Sequence, residues 1–214
     1  DEPELKEMAR RYAAKCNQVS LRSTVAVLIS AVMVILTIIS AVGESMPFGM
    51  NTVSFTALLL IMQLVVSALC MTILVRGVTD LIKLTPGAES VLALSSFVTV
   101  IAGIVTLIAP DKAVGVPFSA VSALAVSLGL LGEKLHLKGI TESLRTAVSV
   151  SAVSGVSAEH SESLDRIIVR KTSGRTAGFF NNLMATDIYE TAYRLAAPLI
   201  IACAFVLSIV ASIL

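Results

Sequence analysis

Soft-metal chemistry needs thiolate or thioether ligands brought to one point. The chain gathers such residues in one place: Cys70 and Met71 are adjacent, and Met62 lies about two helical turns earlier. Adjacent residues on a helix point in different directions, so these three form no ready-made site by spacing, and packing is the plainer use for them. Met46 and Met50, beside Glu44, are a second thioether pair, open to transient copper contact or, with Phe48, to anchoring at an interface. His136 stands near Glu133, and His160 lies between Glu159 and Glu162. A zinc site needs three or four converging ligands, so a solvated surface is the competing reading for both. Serine is abundant, yet with two histidines no nucleophile, base and acid are spaced as a hydrolytic set. The stretch Gly174 to Gly178 lacks the lysine and the spacing of a phosphate loop and reads as a turn. Cys16, Cys70 and Cys203 are odd in number and scattered, so they make no disulfide framework. Cys16 reads as a thiol without a motif and Cys203 as buried filler. No catalytic residue and no cofactor is assigned.

The elements that would position these residues are membrane helices. The chain is 56% hydrophobic and only 14% charged, against about 25% charged in an ordinary soluble domain. A spanning helix takes roughly 20 apolar residues. Five uncharged blocks qualify: Ser23 to Gly43, Val53 to Val75, Val91 to Ala109, Ala113 to Gly132 and Leu195 to Leu214. None alternates with period 2, and open strands cannot satisfy their backbone in lipid. The fold class is therefore an all-α polytopic membrane protein with about five transmembrane helices. A net charge of +1, few aromatics and no Trp give no basis for nucleic-acid binding.

Orientation follows the basic residues. Lys6, Arg10, Arg11, Lys15 and Arg22 precede the first block, Arg76 and Lys83 follow the second, and Lys134, Lys138, Arg145, Arg166, Arg170, Lys171, Arg175 and Arg194 follow the fourth. Only Lys112 falls on the other side. The N-terminus is thus expected in the cytoplasm, with the chain integral to the plasma membrane. The expected organisation is a lead-in helix over 1–22, a four-span region over 23–132, a stalk and small module over 133–194, and a fifth span over 195–214. Because the sequence starts Asp1-Glu2-Pro3 and stops inside an apolar run, it reads as part of something longer.

Between the second and third spans, Val78, Leu81, Ile82 and Leu84 predict a short amphipathic helix at the interface, broken by Pro86-Gly87. Pro110-Asp111-Lys112 predicts a tight hairpin of spans three and four. Small residues recur every four positions: Ser95, Thr99 and Gly103 on span three, Ser119, Ala123 and Ser127 on span four, and Ala204, Ser208 and Ser212 on span five. Such faces let helices approach closely, within one chain or between copies. Span four continues as an amphipathic stalk over Glu133 to Val150. Arg166 to Lys171 predicts one short strand, and Thr172 to Gly178 a loop.

Three stretches carry a likeness. Arg76-Gly77 and Leu81, followed by Pro86-Gly-Ala-Glu-Ser-Val-Leu-Ala-Leu94, resemble the segment between the second and third spans of heavy-metal-transporting P-type ATPases. Gly129-Leu-Leu-Gly-Glu133 is similar to that family's fourth span leaving the membrane, and Tyr193 to Pro198 to the start of its fifth. The resemblance implies two leading spans, a kink into an interfacial helix, a hairpin with a stalk and a cytoplasmic actuator. The chain departs from the family in lacking its Thr-Gly-Glu loop, its Asp-Lys-Thr-Gly-Thr phosphorylation motif and its Cys-Pro-Cys metal motif. No catalytic residue carries over. The implied function is a transport-class membrane scaffold, acting with a C-terminal half beyond this sequence or with a partner. The alternative is a structural or regulatory membrane protein that binds a protein partner through the stalk and the Val150 to Arg194 segment. No Asp, Glu, Lys, Arg or His lies within the five blocks, which argues against a proton path through them.

Overall fold

Proline-free runs of Val, Ile, Leu and Ala set the long helices, because nothing in them removes a backbone donor. The computed structural model describes residues 5–42, 49–110, 118–148, 154–161, 166–173, 183, 185 and 196–205. The elements are α1 (Leu5–Val42), α2 (Thr52–Leu69), α3 (Met71–Ile82), α4 (Ala88–Ile108), α5 (Ser119–Val148), β1 (Ser154–Ser161) and β2 (Arg166–Ser173). A shorter apolar helix, α6 (Ala196–Phe205), follows. Among the described residues, α1, α2, α4 and α5 are long and apolar enough to cross a membrane.

The boundaries differ from the sequence reading in informative ways. α1 is one helix of 38 residues, with no break between the charged lead-in and the apolar block. At 1.5 Å per residue it is about 57 Å long, nearly twice a hydrocarbon core. α5, by contrast, runs on from the fourth block through the residues of the expected stalk as one helix of 30 residues, the continuation that the sequence predicts. The second block does break: α2 stops at Leu69 and α3 starts at Met71. The break is local, since the Cys70 N–H still donates to the Val66 carbonyl at 2.9 Å and the Cys70 carbonyl accepts from Ile73 at 3.0 Å. Residues 111–117, 149–153 and 206–214 lie outside the described residues, and with them most of the expected hairpin turn, Ser208 and Ser212.

The chain forms two compact units. One comprises Val19–Lys134 with Asp187–Leu214. Its buried faces follow alternating steps of three and four residues: Val19, Ser23, Ala26, Ser30 and Met33 on α1, and Thr56, Leu59, Gln63, Val66, Cys70 and Ile73 through α2 into α3. α5 continues the pattern with Ala120, Ala123, Ser127 and Leu130. That period is the signature of helices packed along a seam. The seam is small and often hydroxylated, whereas Leu28, Ile35, Ile61, Phe97 and Ile101 face outward. A protein in water would reverse this. In lipid the tails are as apolar as leucine, so close backbone approach and interhelical hydrogen bonds hold helices together instead.

The other unit comprises Asp1–Gln18 with Leu135–Thr186. Here the all-helical expectation gives way to an antiparallel ribbon, with Ser154 opposite Ser173 and Ser161 opposite Arg166. The expected strand at Arg166 to Lys171 extends to Ser173, and β1 is an element that the sequence reading lacked. β1 reads Ser-Gly-Val-Ser-Ala-Glu-His-Ser and holds little β-forming sequence of its own. Its conformation comes from pairing with the Ile-Ile-Val run of β2.

Candidate functional site

The polar atoms of the first unit concentrate where α2, α3, α4 and α5 meet. Gln63 is 1% exposed, midway along α2. Its Nε2 donates to Thr99 Oγ1 at 2.6 Å and to the Ser96 carbonyl at 3.4 Å, both on α4. Thr99 Oγ1 can accept because its own proton goes back to the Ser95 carbonyl at 2.9 Å. Ser67 and Ser96 hydroxyls pair at 3.4 Å, and Ser95 and Ser122 link α4 to α5 at the same distance. Ser30 and Ser127 join α1 to α5 at 2.8 Å. Gln63 Oε1 and Thr56 Oγ1 are buried without a hydrogen-bond partner among the described residues.

At the end of the unit where α3 turns into α4, one guanidinium holds three helices. Arg76 Nη1 donates to Glu89 Oε1 of α4 at 2.8 Å, and Arg76 Nη2 donates to Glu133 Oε1 of α5 at 3.1 Å. The planar fork of arginine suits this two-carboxylate grip as an ammonium would not. The second oxygens, Glu89 Oε2 and Glu133 Oε2, are buried and unpartnered. One cation faces two anions, so the cluster is net negative. Burial pulls the Arg76 pKa down, but Glu89 and Glu133 together outweigh it and hold the guanidinium above its ordinary value. The group stays charged throughout the accessible pH range.

The backbone beneath this triad is tightly fitted. A Cβ on Gly77 would overlap the Glu89 carbonyl and come within 3.0 Å of Ala93 Cβ, so α3 and α4 meet backbone to backbone. Ser90 Oγ donates to the Gly77 carbonyl at 2.9 Å and accepts from the Gly87 N–H at 3.3 Å. On α5, a Cβ on Gly129 would lie 2.8 Å from Leu92 Cδ1. Without side chains at these glycines, the three helices come close enough for Arg76 to reach both carboxylates.

The sequence candidates are distributed differently. Cys70 is fully buried at the α2–α3 break, Met71 points outward and Met62 is half-buried, so the three do not share a face. Cys203, read as buried, is exposed on α6, and Cys16 is half-buried. His136 is exposed on α5. Among the described residues no group of three or more His, Cys, Asp or Glu could hold a metal ion. The small-residue faces divide their work. Ser95 meets Ser122 of α5, while Thr99 and Gly103 turn to α2, Gly103 against Leu60. Ser119 and Ala123 are buried, and Ser127 turns to α1. Ala204 is exposed. Met46 and Phe48 lie outside the described residues, as does the Gly174 to Gly178 stretch, and Met50 is half-buried.

Two groups escaped the sequence reading. Gln63 is an uncharged amide inside an apolar block, and neither charge nor spacing marks it out in the sequence. Arg76, Glu89 and Glu133 each sit beside the end of an apolar block, one cation and two anions at matching depth, and that placement was the available signal. No protein-family model matches the chain, and neither the curated proteins nor the solved structures contain a match.

Replacing Gln63 with leucine is expected to change stability by less than about 1 kcal/mol. It removes an unpaired carbonyl together with two interhelical bonds, one of them long at 3.4 Å, and such bonds average about 0.6 kcal/mol in membranes. Thermal exposure of the buried Cys70 thiol, followed by a maleimide dye with Cys16 and Cys203 changed to serine, reads the effect. A loss of more than about 2 kcal/mol would make Gln63 an organiser of the helix seam.

Proposed function

We propose that the chain is the membrane scaffold of a transport-class protein, similar to the front membrane part of a metal-cation P-type ATPase, with its N-terminus in the cytoplasm and about five spans. One observation carries this reading: the first two of the stretches that bear the likeness meet in space. Gly77 lies against Glu89 and Ala93, Gly129 against Leu92 and Ile73, and Arg76 binds Glu89 and Glu133. In this reading α5 leaves the bilayer at Glu133, where the ion triad grips it, and continues as a stalk. The basic residues Lys6, Arg10 and Arg145, which border one cleft of about 270 Å³, fit a cytoplasmic position. The metal would be the transported substrate.

The test is the genomic reading frame beyond Leu214. If it encodes an Asp-Lys-Thr-Gly-Thr site and a Cys-containing metal motif, the full-length product is expected to hydrolyse ATP when supplied with Cu⁺ or Zn²⁺, and vanadate to stop it. A frame lacking both motifs removes the transport reading. A second reading then stands on the ribbon, where Val156, Ile167, Ile168 and Val169 are all exposed. A two-stranded ribbon is marginal alone, and apolar residues on both its faces favour a regulatory role in which a protein partner covers it. Purification in mild detergent should then yield a stoichiometric partner, and Ile168→Lys should release it.

A further inference from the structure

The α3–α4 corner contains a residue in a conformation unfavourable to it. Leu84 has φ of 55°, and closes α3 by donating its N–H to the Leu81 carbonyl at 3.1 Å, while Thr85 N–H reaches back to Asp80 at 3.0 Å. This is a Schellman-type ending, at which glycine is the usual residue because it bears no Cβ penalty. Here the position keeps a leucine, and its side chain is 87% exposed. Backbone strain retained at an exposed apolar residue calls for a use.

That side chain borders a groove. Leu81, Leu84 and Pro86 form one wall, and Pro198, Ile201 and Phe205 of α6 the other, enclosing about 660 Å³. Pro198, Ile201 and Phe205 fall at steps of three and four on a single helix face. Among the described residues, no lining residue carries a charge or a side-chain hydrogen-bonding group, so an occupant meets apolar groups there. Lys83 stands between Leu81 and Leu84 in sequence, is exposed, and makes no salt bridge to any described residue. Arg76, in its triad with two carboxylates, lies two turns earlier on the same helix and marks the polar end of the unit.

We infer that this groove binds one acyl chain of an anionic glycerophospholipid, with the lipid phosphate against Lys83. An open apolar groove whose wall residue Leu84 directly follows an exposed lysine, one that pairs with no described residue, complements an amphiphile that has a negative head and a long tail. A lysine at the membrane boundary attracts anionic headgroups in the same way. Leu84 forms part of the wall that separates the tail from water. The inference requires the chain to sit in a bilayer and is independent of any transport role.

The test uses the full chain in phosphatidylcholine vesicles holding a small fraction of phosphatidylglycerol with a diazirine in its acyl chain. Photolysis and mass mapping are expected to place label on residues 81–86 and 198–205 at several times the level on the outward face of α4. Ala202 also lines the groove, and Ala202→Trp, which fills it, should reduce that label at least fivefold. Lys83→Gln should reduce labelling by the phosphatidylglycerol probe and leave labelling by the matching phosphatidylcholine probe unchanged. Leu84→Gly relieves the backbone and should raise the Cys70 exposure temperature, yet it should lower the label. Equal label on the groove and on the α4 face would overturn the inference. So would label indifferent to Ala202→Trp, equal labelling by both lipids, or intermolecular cross-links showing that a second copy fills the groove.

Discussion

Gly77→Ala is expected to cost about 3 kcal/mol, the upper end for overpacking a fitted interior. The added methyl meets the Glu89 main-chain carbonyl and Ala93 Cβ, and neither can swing aside as a long side chain would. α3 and α4 must therefore separate. Separation also strains the bond from Ser90 Oγ to the Gly77 carbonyl and carries Glu89 away from Arg76. The protected Cys70 thiol lies two turns away along the same buried stripe, so the midpoint of its exposure in detergent with a rising fraction of SDS measures the loss. Gly132→Ala is the matched control. No atom lies within 4 Å of a Cβ there, and α5 should gain up to about 1 kcal/mol from the better helix former. If both substitutions have the same effect, α3 and α4 do not pack as described.

Arg76→Met is expected to cost about 2 kcal/mol. Methionine keeps most of the side-chain volume but leaves Glu89 and Glu133 facing each other without a cation, and each already has one buried oxygen without a donor. Removing one partner from a fully buried ion pair costs about 3–5 kcal/mol. Arg76 is 47% exposed, so solvent screens part of the repulsion. The diagnostic result is the double variant. Adding Glu133→Gln to Arg76→Met should restore more than half of the loss, because only one negative charge then remains. Arg76→Lys should fall between, since a point charge cannot present two parallel N–H donors to carboxylates on two helices. Without rescue by Glu133→Gln, the effect of Arg76 would come from packing by its stem and not from the ion triad.

Where the long helices lie was legible because composition and length decide it: uncharged runs of the right length have few other structures open to them. The Pro86-Gly87 corner was equally readable, since proline and glycine act locally. Helix continuity was less so. The sequence around Leu21 and Arg22 changes from charged to apolar and suggests two elements, but nothing there interrupts a backbone ladder, and α1 runs straight through. The reverse holds at Cys70, where no proline or glycine announces the end of α2. Partner choice was the least legible part. Ser95, Thr99 and Gly103 share a spacing, but Ser95 meets α5 while Thr99 and Gly103 meet α2. Spacing identifies a face of one helix and is silent on its neighbours. The ion triad depends on contacts between residues 76, 89 and 133, and sequence periodicity says nothing of such long-range pairs.

The buried stripe crosses the α2–α3 break without losing step: Gln63, Val66, Cys70, Ile73 and Gly77 keep to intervals of three and four. The two helices are therefore in phase, like two shafts joined by a coupling that transmits rotation. Each residue of an α-helix advances about 100° around its axis. One residue inserted or removed at Cys70 would turn all of α3 by that angle, swinging Gly77 out of its notch and Arg76 away from both carboxylates. The residue count of the join thus sets the alignment of the charged end of the bundle with the hydroxyl-lined seam below.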